Sequence, residues 1–172
     1  MGEEIRNIFD ALSLLNELEA SEEDEAVKVK RAELNAYIKA ILSEYAEKQV
    51  LVRILKTSED PDQPSEIEVE FDDAVQFYEA LQLHIGKTGF FIKGTTEFPM
   101  NALLKIKVVL KKEGVEFTVN GKVVWINPRP VKGKPAGIGV KLYKLDSIKR
   151  ELLEDFKKGL VEPDLLSTLS EE

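Results

Sequence analysis

Few residues here are able to do chemistry. The 172-residue chain has one histidine and no cysteine, which removes thiolate nucleophiles, disulfides and zinc–thiolate sites and leaves little for a serine–histidine triad. His84 has no neighbour in sequence placed to orient it as a base, and it reads as a strand-edge residue. Gly86-Lys87-Thr88 looks like the end of a phosphate loop, but the upstream glycine and the spacing are missing. Glu22-Glu23 and Asp72-Asp73 set carboxylates side by side, in runs that read as solvated faces. The expected catalytic and metal-ligating sets are therefore empty, and the chain reads as a non-enzyme with no cofactor.

Charge is the stronger signal. The net charge is −8, which argues against nucleic acid as a partner for the whole chain. The average hides a split: residues 84–150 carry fourteen Lys and Arg against four acids, +10, and the rest carries −18. Two readings follow, polar strand faces that drew lysine or a basic face that meets an anionic ligand. Lys87, Lys93, Lys105, Lys107 and Lys141 are the candidates for such a face. With 43% apolar and 33% charged residues the composition is globular. No apolar run approaches a membrane span, so no membrane insertion is expected. Met1-Gly2-Glu3-Glu4 lacks a secretory segment, and Arg6 stands where a myristoylation signal wants Ser or Thr. A cytoplasmic protein is expected.

Two helices must come first. Ile5, Ile8, Phe9, Leu12 and Leu15 follow a helical period over 3–20, and Val27, Leu34, Ile38, Ile41 and Tyr45 form a narrow stripe over 23–48. That stripe needs a partner: the first helix, the following domain, or another copy of the chain through a coiled coil. It is the candidate surface for a homo-oligomer.

After residue 48 the period changes to two. Val50 to Leu55 is a short strand, the proline-bearing stretch 57–64 is a loop, and Ile67, Val69 and Phe71 alternate with glutamates. Residues 77–84 fit a strand, though their spacing also allows a helical turn. Strands follow at 89–94, 104–110, 115–126 and 137–143, the third placing Val115, Phe117, Val119, Val123 and Trp125 on one face, with a bulge at Gly121. Ile148, Leu152, Leu153 and Phe156 mark a last amphipathic helix, and the chain from Glu162 onward is expected to fray. Short strands at this spacing mean a barrel or a sandwich. The expected parts are a helical segment 1–48, a strand-rich domain with its helix 49–160, and a tail 161–172.

Three segments together resemble the PilZ domain: Leu83-His84-Ile85-Gly86-Lys87-Thr88-Gly89-Phe90-Phe91-Ile92, Val119 to Pro128 with its Val-Val-Trp, and Gly137 to Leu142. The likeness is nearest to the branch common in myxobacteria and related bacteria, in which a Phe- and Tyr-bearing segment, here 71–78, precedes the glycine turn. It implies an α+β chain with a small antiparallel β-barrel, and it favours 115–126 as one strand. It also implies a role in cyclic di-GMP signalling, in motility, pilus or surface-behaviour control. The family grips its ligand with Arg-x-x-x-Arg and with Asp/Asn-x-Ser-x-x-Gly. On the turn positions this chain has His84, Gly86 and Gly89, and Gly86 has no hydroxyl to offer. Arg53 has Gln49 and Thr57 four residues either side. The resemblance thus implies a degenerate member, an adaptor acting through a protein partner with weak or no cyclic di-GMP binding, or a receptor that uses the basic face instead.

Overall fold

A computed structural model describes residues 7–46, 48–60, 62–83, 88–130 and 135–170. Helix α1 spans Ile8–Glu19 and α2 Glu25–Tyr45. Each starts on a side-chain cap: Asn7 Oδ1 accepts from the Asp10 N–H at 3.0 Å and Asp24 Oδ1 from the Val27 N–H at 2.9 Å. The two pack together as a hairpin within one chain. Leu34 and Ile38 of the narrow stripe are buried there, and Val27, Ile41 and Tyr45 are half-buried.

The strands are β1 Leu51–Lys56, β2 Ser65–Phe71, β3 Gly89–Lys93, β4 Leu103–Leu110, β5 Val115–Asn127 and β6 Gly137–Tyr143. They form one sheet in the order β1-β2-β4-β5-β6-β3. All pairs are antiparallel except β2–β4, which departs from the wholly antiparallel expectation. The cause is connectivity. The chain leaves β2 through a helix, lays β3 on the far edge, and returns along β2 in the same direction. The sheet curls until Phe71 of β2 and Phe90 of β3 are 6.5 Å apart at their ring centres. Among the described residues no ladder joins β1 to β3, and helix α3, Ala74–Leu83, packs on both β2 and β3 at that seam.

That helix covers most of the segment 77–84, whose spacing allows either a strand or a helical turn, and the helical alternative is the one found. Nearly every side of it is covered: Phe77, Tyr78, Ala80 and Leu81 are buried apolar residues, and Gln76 and Glu79 are buried polar ones. Phe77 is the centre of the core, its ring 5.4–5.8 Å from those of Phe71, Phe90, Phe117 and Phe156. A residue that must touch four other elements at once suits a helix inside a curled sheet better than a strand paired at its edges.

Strand β5 is continuous, as expected, but its irregularity is not at Gly121. Gly121 pairs regularly with Leu104 and Leu142, and a Cβ there would come 3.0 Å from Ile106 Cδ1 and 3.3 Å from Val140 Cβ. It is small because strands pack closely over it. The register slips instead between Val123 and Trp125. One extra residue reverses the alternation, so Ile126 turns inward opposite Ile138. Trp125 leaves the core face and lies on Phe91, ring centres 5.1 Å apart.

Helix α4, Ser147–Lys157, is capped by Asp146 and buries Leu153 and Phe156. The segment expected to fray forms a 3-10 helix, Pro163–Ser170, that buries Leu166 and Leu169. It runs beside the first half of β5, which β6 does not reach, and Ser170 Oγ accepts from the Thr118 N–H at 2.6 Å. A free strand edge and two leucines give this tail a reason to order. Gly159, at φ +72°, ends α4 against α1, where a Cβ would strike the Phe9 carbonyl and lie 2.8 Å from the Ser13 nitrogen. Gly159→Ala is expected to cost about 2–3 kcal/mol in urea unfolding, by strain and by pushing α1 off the core.

Candidate functional site

The turn positions His84 and Gly86, with Lys87, lie outside the described residues. Gly89 opens β3, is buried, and pairs with Lys141 of β6, whose side chain is exposed. Arg53, on edge strand β1, donates from Nη1 to Glu68 Oε2 at 2.7 Å across the β1–β2 ladder. The guanidinium that stands nearest to a family arginine is therefore already engaged by a carboxylate.

The four described candidate lysines do not share one surface. Lys105 and Lys141 are exposed on the outer face, and Lys107 lies 3.4 Å from Glu116 and 3.9 Å from Glu68. Lys93 is 6% exposed and belongs to the interior. Its Nζ donates to Glu79 Oε1 of α3 at 2.7 Å and to the Tyr45 and Ala46 carbonyls at 3.0 and 3.4 Å. Those carbonyls end α2, where a helix presents unsatisfied acceptors and partial negative charge. One ammonium thus ties the hairpin, the central helix and strand β3 together. It cannot also present itself to a ligand. The sequence hint was its place after Phe90-Phe91-Ile92, a run buried on both faces that leaves a terminal lysine in need of an anion.

A second group of polar contacts secures the start of α3. Asp73 Oδ1 accepts from the Gln76 N–H at 3.0 Å and its Oδ2 from the Tyr45 hydroxyl at 2.7 Å. Glu113 Oε1 accepts from the Ala74 N–H at 3.0 Å. Gln76, almost wholly buried, accepts from the Asp72 N–H at 2.7 Å and donates to the Gln49 carbonyl at 3.2 Å. Asp73 works as a helix cap rather than as half of a catalytic pair. Among the described residues no three acidic or imidazole side chains converge as a metal set.

Two outcomes follow from these contacts. Lys93→Met leaves Glu79 buried without its counter-charge, and a loss of about 3–5 kcal/mol is expected in urea unfolding, most of it recovered when Glu79→Met is added. Burial first, then the Asp73 contact, push the Tyr45 hydroxyl well above its ordinary value of 10.0, and burial takes Tyr78 to about 12. A raised phenol favours the protonated fold. Its contribution is complete below pH 10 and drains away as pH climbs through the raised folded value. Tyr45→Phe should flatten part of the alkaline loss of stability, measured as unfolding midpoints from pH 9 to pH 12.

A family model described as PilZ domain matches residues 61–159, more than half of the chain. The matched stretch runs from the loop before β2 to the glycine that ends α4, so α1, α2, β1 and the final 3-10 helix stand outside it. Comparison with curated protein sequences finds no match. No described helix is long and apolar enough to cross a membrane. By its matched strands and helices the chain belongs to the PilZ domain family, a family of cyclic di-GMP-related receptors and adaptors.

Proposed function

We propose that this chain is a non-enzymatic PilZ adaptor or regulator that works through contacts with other proteins, in control of motility, pilus or surface behaviour, and that it holds cyclic di-GMP weakly or not at all. The observation that carries this reading is the state of Arg53. It is the one arginine between positions 32 and 128, no second arginine stands four residues away, and Glu68 holds it at 2.7 Å. Two forked, charge-assisted contacts to phosphate or guanine are each worth about 1.5–3 kcal/mol. Losing both weakens binding by roughly two to four decades. Lysines restore charge but not the fork, and the placement of Lys93 and Lys107 beside glutamates speaks against a receptor that substitutes the basic face. The N-terminal hairpin, outside the matched segment, is the element proposed to dock a partner or a second copy.

Calorimetric titration of the intact chain with cyclic di-GMP, at low and at physiological salt, tests the reading. Heats consistent with no binding, or with a dissociation constant far above micromolar, are expected. Submicromolar affinity at both salts would overturn it. Light scattering of the intact chain tests the assembly: a mass of more than one copy is expected, and a monomer would assign the hairpin to its own sheet alone.

A further inference from the structure

The sheet has two outer strands and one half-open inner strand, and the chain treats them differently. Edge strand β3 is buried along its whole length, with α3 packed on it. The half of β5 that β6 does not reach has the 3-10 helix beside it. Edge strand β1 has no such cover. Among the described residues no ladder reaches its outer side, and no other backbone hydrogen bond does. Alternate N–H and C=O groups on that side are left to solvent. Three of the nine large apolar side chains exposed among the described residues stand on this one strand: Leu51 at 47%, Ile54 at 45% and Leu55 at 54%. Both faces take part. Val52 and Ile54 pair with the fully buried Val69 and Ile67 and lie on the core side, while Leu51 and Arg53 pair with Glu70 and Glu68 on the outer side. A helix laid on β1 would cover one face only. A strand added beside it meets both and takes up the free backbone groups as well. The cations of β1 are balanced within its own sheet: Arg53 holds Glu68 at 2.7 Å, and Lys56 stands across from Glu66. The ladder slips between Ile54 and Lys56, which places a bulge at Leu55 and ends the regular run at Ile54.

We infer that β1 is the seam at which a second copy of this chain adds its own β1, antiparallel about a two-fold axis. Charge selects the register. An axis through Arg53 sets two guanidiniums against each other, and an axis through Ile54 runs the pairing into the bulge at Leu55. An axis through Val52 avoids both. It sets Val52 against Val52 of the second copy, Leu51 against Arg53, and Val50 against Ile54. Every row across the seam is then apolar on the core side. On the outer side each Arg53 lies between its own Glu68 and Leu51 of the second copy, with that copy's Glu70 next in the row. A seam of one short strand per copy buries less than about 1,200 Å², so the dimer is weak, with a dissociation constant of about 10–100 µM. This assignment gives the second copy to β1 and leaves the hairpin for another partner. The adaptor reading is tested by cyclic di-GMP calorimetry, which the seam does not touch, so the two fail separately.

The chain has no cysteine, so a single introduced thiol in the full chain reports on the seam. Val52→Cys is expected to give a disulfide-linked dimer under mild oxidation, because residues opposed across an antiparallel pair come within bridging distance. Leu55 is well exposed, but it stands three residues from the axis, so its two copies are on the order of 20 Å apart. Leu55→Cys should therefore cross-link about 10-fold less. Sedimentation equilibrium of the unsubstituted chain should show the mass rising toward two copies between about 1 and 300 µM. Ile54→Lys should raise the dissociation constant by about 10-fold or more, whereas Val29→Glu, exposed on α2, should leave it unchanged. Urea unfolding checks that Ile54→Lys folds; if it does not, the two cysteine variants carry the test. A monomer over the whole range, equal cross-linking at positions 52 and 55, or a folded Ile54→Lys that dimerises as before would each overturn the inference. So would a dimer that Val29→Glu abolishes.

Discussion

One ammonium group holds the architecture in register. Lys93 sits at the end of an edge strand, yet it faces inward and neutralises Glu79 on the central helix. A buried pair of this kind does not outperform two hydrophobic residues in stability. Its value is geometric. It also takes up the carbonyl ends of α2, so the hairpin, the central helix and β3 can meet in only one arrangement. The aromatic cluster around Phe77 supplies the larger share of burial, but rings tolerate several packings, whereas an ion pair at 2.7 Å does not.

The same contact has a functional side. A basic face assembled from alternating lysines would look continuous on paper, and Lys93 would be in the middle of it. Burying that residue, and placing Lys107 between two glutamates, leaves the exposed positive charge toward the β4–β6 end of the sheet. Charge in this protein is thus sorted by strand register rather than spread along the sequence.

Much of the fold was legible because its determinants are local. The alternation of Ile67, Val69 and Phe71 with glutamates, and of Leu104, Ile106 and Val108 with lysines, gives strands whatever lies around them. The caps at Asp24 and Asp146 are equally local contacts, though the helical period alone singles out neither. What could not be read is non-local. The helix at 74–83 depends on an interior that only the curled sheet provides. The bulge at Val124, which sends Trp125 to the opposite face, depends on how β6 is paired. The partner of Lys93 lies fourteen residues away on another element. For the site, the turn and arginine positions could be compared with the family segment by segment, but the tie of Lys93 to Glu79 and to the carbonyls that end α2 joins three elements with no common spacing.

The short helix beside β5 has a wider implication. Sheets with an unpaired border recruit strands from other molecules, and proteins that must stay dispersed shield such borders. Here the shield is a stretch of eight residues, anchored by two leucines and one hydroxyl. This stretch follows the six described strands along the chain. Until it docks, the sheet carries an open template along half of its longest strand, so these eight residues act as the sheet's own guard against clumping.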